Sequence, residues 1–223
     1  EQTPIILDKI QWQKSMKWGN FSLNWARPLK SILGIFDGKN LDFKFYHLKC
    51  SNITFVDKEF EEKKKIFKNF KSYKIFFQKL GIIIDQNLRK DFIEKRLKKI
   101  SGRRNIIIES NNKLLEEVTD LVEQPNILLC KFDEKFLSIP KEILIITMQN
   151  HQRYFPTFDN KGNITNEFLV VANNKDLKGF IKSGNERVVE ARLNDAQFFW
   201  KKNKSQNLVK QVSKLKTMNY FKG

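Results

Sequence analysis

Between Phe70 and Ala172 the apolar residues of this chain change their spacing element by element, and that alternation restricts it to a mixed α/β (α+β) fold. Phe70, Tyr73, Phe77 and Leu80 recur at steps of three and four, which predicts an amphipathic helix ended by Gly81. Ile82-Ile83-Ile84 is β-branched throughout and reads as a buried strand. Asn87 stands where it can cap a helix through Ile100, with Phe92, Ile93, Leu97 and Ile100 inward. Leu114, Leu115, Val118, Leu121 and Val122 predict a further helix that Pro125 stops, and Ile127–Phe132 reads as a strand. Pro140 suits the first turn of a helix through Met148, apolar nearly all round and so buried. His151–Phe158 and Glu167–Ala172 read as strands joined by a turn over 159–163. After Ser183 a long helix carries Val188, Val189, Leu193, Ala196, Phe199 and Trp200 on one face.

The opening is different in kind. Trp12, Met16, Trp18, Phe21 and Trp25 lead to Arg27-Pro28, where the proline turns Arg27 away from helix. Leu41–Tyr46 and Ile53–Val56 read as strands, and Asp57–Lys65 as a loop or a solvated helix. The expected organisation is an aromatic, basic N-terminal segment over 1–36, an α/β body over 37–175, and a helical segment over 176–223. The last leads toward a downstream domain. Beginning at Glu1, the chain reads as a piece of a longer protein.

Composition excludes several classes. Twenty Phe among 223 residues supply enough apolar surface to offset the entropy of ordering, so this is not a disordered tail. Two cysteines rule out a disulfide scaffold and suit a reducing, cytoplasmic setting. The longest apolar runs, such as Ile143–Met148, fall far short of the roughly 20 residues that cross a bilayer, so no membrane partner is expected.

The formal charge is +17, from 42 Lys+Arg against 25 Asp+Glu. Only eight of those bases are Arg, the residue best suited to gripping phosphate, so part of the charge reflects codon drift toward Lys. The local pattern is more informative. Gln86–Asn105 carries eight bases against two acids, and Lys95, Arg96, Lys98, Lys99, Arg103 and Arg104 crowd its second half. Such a cluster is either a solvated face at the negative end of a helix dipole or a phosphate-contacting ridge. After Asp195 come seven Lys and no acid. By contrast Glu109–Glu142 is acidic, so the field is patchy and favours one binding face.

No self-contained active site is visible. His47, Cys50, Cys130 and His151 have the right count for zinc but only one close pair, where zinc modules bring two, so no metal is expected. A Gly-rich phosphate loop is absent. The mixed-sign run Glu186, Arg187, Glu190, Arg192, Asp195 reads as a surface ladder or as a packed interface.

Several ordered blocks resemble one family. Thr147-Met148-Gln149-Asn150-His151-Gln152-Arg153-Tyr154-Phe155-Pro156 is similar to a "T-M-x-x-H-Q-K/R-Y-F-P" stretch of bacterial glycyl-tRNA synthetase β subunits, and Phe168 to Asn173 continues it. Gly184-Asn185-Glu186-Arg187-Val188 through Arg192-Leu193, Asp195-Ala196 and Phe198-Phe199 resembles the family's "G-N-E-x-V…R-L-x-D-A-x-F-F". Leu114 to Pro125 resembles "L-L-E-E-V…L-V-E-x-P", and Lys14, Met16, Trp18-Gly19 and Arg27-Pro28 echo "K-x-M-R-W-G…F-x-R-P". Where the family carries a basic His-Arg turn, this chain reads Asn52 to Phe60 and holds Asp57 instead.

The resemblance implies part of the β subunit of glycine–tRNA ligase, in an α2β2 assembly with an α subunit. That α subunit uses ATP and magnesium, so no cofactor is expected in this chain. It implies a B3/B4-like body flanked by helical segments, with tRNA(Gly) engagement and subunit scaffolding as its work. Trp18, Arg27, Pro28, His151, Gln152, Tyr154, Phe155, Gly184, Asn185, Glu186, Arg187, Arg192 and Asp195 are then structural residues of the family motifs. No catalytic residue is implied. Two other readings are a module that hydrolyses mischarged tRNA, using His151 or Glu117 beside a pocket, and a pure subunit-interface module.

Overall fold

Residues 1–81 are rich in rings but poor in long apolar runs, and they build only short elements. The computed structural model describes residues 2–58, 61–109 and 111–206. Contacts divide the chain into two units at Gly81. The N-terminal unit contains α1 (Gln2–Asp8), β1 (Ile32–Leu33), β2 (Ile35–Phe36), β3 (Lys39–Asn40), β4 (Lys44–Phe45), β5 (Leu48–Ser51), β6 (Ile53–Lys58), β7 (Glu61–Ile66) and α2 (Phe70–Lys79). A three-stranded sheet has the order β1-β5-β4, while β2-β3 and β6-β7 are separate hairpins. Gly34 lies so close to β5 that a Cβ there would stand 2.6 Å from Cys50 Sγ, so only glycine fits. Asn69 caps α2, its Oδ1 accepting from Ser72 N at 2.9 Å, and Phe67 packs edge-on against Phe76.

The C-terminal unit contains α3 (Gln86–Arg104), β8 (Ile107–Ile108), α4 (Asn112–Leu121), β9 (Asn126–Lys131), a 3-10 turn over Glu134–Ser138 and α5 (Lys141–Ile146). A wide π-type turn over Thr147–His151 follows, then β10 (Phe155–Phe158), β11 (Ile164–Ala172) and α6 (Phe180–Ser205). Its antiparallel sheet has the order β8-β10-β11-β9. The long β11 lies at its centre, in register with β9 from Glu167 opposite Lys131 to Ala172 opposite Asn126. Successive residues of β11 point to opposite faces, so Phe168 and Val170 join a core with Val189 and Leu193 of α6. Leu169 joins a second core with Ile93 and Leu97 of α3 and Leu114 and Val118 of α4. Helices thus cover both faces, which is why Phe168–Ala172 is continuously apolar rather than alternating.

The mixed α/β class stands, with several local differences. Of the Asp57–Lys65 stretch, Asp57 and Lys58 belong to β6 and 61–65 to β7, Ile53 pairing with Ile66 and Asp57 with Glu62. A ladder asks only for backbone partners, so a charged stretch serves as well as an apolar one. Ile82–Ile84 is not a strand; Ile83 N donates to Glu123 O at 2.9 Å and nothing extends the pairing. The cap of α3 is Asp85, accepting from Leu88 N at 2.9 Å, two residues before Asn87, and the helix runs on to Arg104.

Further differences lie toward the C-terminus. Strand β10 begins only at Phe155: His151 and Gln152 end the preceding helical turn, and Arg153, at φ 61, and Tyr154 are irregular. The helix after Pro140 is buried on one side only, since Leu144 and Met148 are inaccessible whereas Ile146 is exposed. Along α6 only Val189 and Leu193 are buried, and Phe199 is exposed. The contact boundary at Gly81 differs from the breaks expected after 36 and 175, because 37–81 packs with the opening segment and α6 packs on β9. Of the seven lysines after Asp195, Lys210, Lys214, Lys216 and Lys222 lie outside the described residues, as does Phe60.

Candidate nucleic-acid interface

Helix α3 presents its bases outward because Ile93 and Leu97 hold its opposite face in the core. Lys95, Arg96, Lys98, Lys99, Arg103 and Arg104 are all exposed. Lys95, Lys99 and Arg103 recur at i, i+4 and i+8, which places them in one stripe about 12 Å long. None of these three has an ion-pair partner among the described residues. Lys98 is held 2.7 Å from Glu94, and Arg96 lies 5.2 Å over the Phe92 ring, so both are partly committed within the helix. Bases earlier in the same window are structural. The Arg89 guanidinium donates to Thr119 O at 2.8 Å and Ile83 O at 2.6 Å, and Lys90 pairs with Glu116 at 2.8 Å. The tertiary fold therefore reduces the cluster to a smaller, cleaner stripe. Nothing in the linear sequence distinguishes Arg89 from its neighbours, because its partners are carbonyls up to thirty residues away.

The other candidate residues gather where motif blocks meet. Tyr154 OH donates to Asn185 Oδ1, and Asn185 Nδ2 donates to Ile181 O at 2.6 Å. Glu186 accepts from the Lys131 amide at 2.9 Å, tying α6 to the end of β9. Arg153 pairs with Glu117, and Asn173 Oδ1 accepts from Glu123 N at 2.7 Å. Phe155 is buried and Gln152 half-buried, whereas His151, Arg187, Arg192 and Asp195 are exposed. The mixed-sign face thus divides into an anchored part at Asn185–Glu186 and a solvated part beyond it. Gly184 is half-buried within α6, and a Cβ there would meet nothing within 4 Å.

Burial pushes both Tyr154 and the neighbouring Cys130 up to about 12, the Cys130 charge adding to the first and the Glu186 charge to the second. Both groups stay protonated in the folded protein at a pH where the unfolded chain ionises. Their contribution is complete below the ordinary thiol and phenol values and is lost as pH rises toward 12. Thermal melts between pH 8 and 11 are expected to show falling stability, and Tyr154→Phe with Cys130→Ala is expected to flatten that fall.

In the N-terminal unit Trp18 is half-buried, with its ring edge-on to Phe21 and to His47, while Arg27 and Pro28 are exposed. Cys50 and Cys130 are each buried in separate units. No three of His, Cys, Asp and Glu converge among the described residues. No helix among them is long and apolar enough to cross a membrane. A surface cleft of about 340 Å³ is lined by Lys131, Phe132, Ser183, Glu186, Arg187 and Glu190, and contains neither His151 nor Glu117.

A family model described as glycyl-tRNA synthetase beta subunit matches residues 1–223. The glycine–tRNA ligase beta subunit of Rickettsia canadensis is 38% identical over 215 residues, which cover 96% of this chain and 32% of that protein. Its counterpart in Rickettsia felis is 37% identical over 217 residues, covering 96% and 33%. That of Rickettsia typhi is 38% identical over 218 residues, again covering 96% and 33%. The chain spans about a third of the length of the curated relatives it matches. With residues 1–223 matched from end to end, the chain belongs to the glycyl-tRNA synthetase beta subunit family.

Proposed function

We propose that this chain is a tRNA-engaging, scaffolding part of glycine–tRNA ligase, working in the cytoplasm with tRNA(Gly) and an α subunit in an α2β2 assembly. In this reading the ATP, magnesium and glycine chemistry belongs to the α subunit. The observation that carries it is the stripe of Lys95, Lys99 and Arg103, exposed, in line and without acidic partners among the described residues. Three cations spaced along a rigid helix contact successive phosphates through charge alone, which fixes an RNA in place without reading its sequence. Membership of a tRNA synthetase family supplies the reason that the RNA is a tRNA.

The editing reading gains little. Glu117 is held by Arg153, His151 stands in solvent, and neither lines the cleft beside α6.

The test is binding of a tRNA(Gly) transcript across a salt series. The triple variant Lys95→Ala, Lys99→Ala, Arg103→Ala is expected to bind more weakly, with a salt slope shallower by about two to three. Lys98→Ala alone is expected to change little, since Glu94 already holds that ammonium. An affinity insensitive to salt, or a triple variant that binds as the parent does, would remove the stripe from the account.

A further inference from the structure

Residues 9–36 hold five bases and no acid, interleaved with Trp12, Trp18, Phe21 and Trp25. The structure gathers these rings with those of the β4-β5 hairpin. Trp12 lies 4.9 Å from Trp25, Trp25 lies 5.7 Å from Phe45, and Phe45 lies 5.0 Å from Tyr46. At the hairpin tip, Phe21 stacks on His47 at 3.6 Å with planes 10° apart, and Trp18 packs edge-on to both. Phe45 is buried beneath Trp25 and Tyr46. Trp12, Phe21 and Tyr46 are 39%, 42% and 50% exposed.

The hairpin tip is unusual for its backbone. Phe45 pairs with Leu48, so Tyr46-His47 is a two-residue loop, a place that favours Asn-Gly or a leading Gly. Tyr46 instead occupies φ 51, where a bulky residue is strained. A fold that places two rings at such a tip holds them outward against a local preference, and strain of that kind concentrates at functional positions.

The surrounding charge indicates what the rings meet. Lys14 and Lys17 flank Met16, whose backbone bridges Trp25, and Lys44 precedes Phe45; all three ammonium groups are exposed. Lysine is depleted from the centres of protein–protein interfaces, whereas rings alternating with cations suit a strand of stacked bases joined by phosphates. We infer that the N-terminal unit binds single-stranded RNA by stacking unpaired bases on Phe21, His47, Tyr46 and Trp12, with Lys14, Lys17 and Lys44 on the intervening phosphates. The inference rests on RNA being the partner, as proposed above, but assigns a second surface with different chemistry. The stripe on α3 meets phosphates only; this surface meets bases.

Three of the four tryptophans lie in this surface, so their fluorescence reports on it directly. The probe is an RNA single strand about twelve nucleotides long, beside an abasic strand of the same length and a duplex. Titrating the 223-residue chain is expected to quench tryptophan emission with the single strand and far less with the abasic strand. Phe21→Ala and Tyr46→Gly are each expected to weaken single-strand binding about tenfold and to leave duplex binding unchanged. Tyr46→Gly removes the ring and its exposed hydrogen bond to Asp8 Oδ1, at 2.8 Å, while relieving the backbone, so a melting temperature that is not lowered separates lost stacking from lost folding. The α3 triple variant is expected to lose tRNA affinity yet keep this quenching, so failure of either surface is read separately. Equal binding of the abasic strand, or full affinity in both ring variants, overturns the inference and leaves a merely cationic surface or one that meets a protein.

Discussion

Phe168→Ala is expected to destabilise the C-terminal unit by about 3–5 kcal/mol, the range for emptying a fully buried aromatic site. Phe168 is inaccessible at the centre of β11 and stacks between Phe132, 6.3 Å away, and Tyr154, 5.2 Å away. Its ring fills the space between the sheet and α6, where Val189 and Leu193 are also inaccessible. Those neighbours belong to a sheet and a long helix, which cannot collapse into the gap without moving whole elements, so most of the cavity should remain. Against a typical domain stability of about 5–15 kcal/mol this is a large share. Chemical denaturation followed by far-ultraviolet circular dichroism measures it. Phe180→Ala, at a 74% exposed position at the start of α6, is the control and should stay within about 0.5 kcal/mol. A loss below about 1 kcal/mol at Phe168 would show that the two sides of the sheet are not packed as described.

Arg89→Ala is expected to cost about 2–3 kcal/mol although the residue is basic, partly accessible and sits in the charged window of α3. Its guanidinium bridges three carbonyls, at Ile83, Ile84 and Thr119, and so joins the entry of α3 to the end of α4. Removing it strands those acceptors, and charged donors to backbone carbonyls are worth more than neutral ones. Arg89→Lys should recover only part of the loss, since a single ammonium cannot reproduce the planar fork. The same melting experiment on Lys99→Ala should show almost no change. If Arg89→Ala and Lys99→Ala behave alike in stability, the division of α3 into structural and outward-facing bases fails.

Much of the fold was legible in the chain itself. The helix over Phe70–Lys79, the helix that Pro125 follows, and the strand after Asn126 are all set by local period and by punctuating Gly or Pro. Ile82–Ile84 was misleading because β-branching marks a preference for strand without supplying a partner; Ile83 N donates to Glu123 O, and the carbonyls of Ile83 and Ile84 accept from Arg89 rather than from a neighbouring strand. The Asp57–Lys65 stretch misled in the opposite direction, since its ladder to Ile53–Lys58 depends on backbone pairing that side-chain pattern does not encode.

For function the division is similar. By itself the sequence determined the class of fold, the excess of positive charge and the family blocks, because each is a property of composition, period or order along the chain. Only the tertiary structure decided which charges are available. Arg89 and Lys90 are consumed by partners 26 to 30 residues away, leaving Lys95, Lys99 and Arg103 in line. Likewise the rings of residues 12–25 meet the β4-β5 hairpin only in the fold, Trp25 against Phe45 and Phe21 stacked on His47. The reason is physical: a side chain's identity sets what it can bind, but its solvation and its neighbours set what remains for it to bind, and those are fixed by contacts distant in sequence.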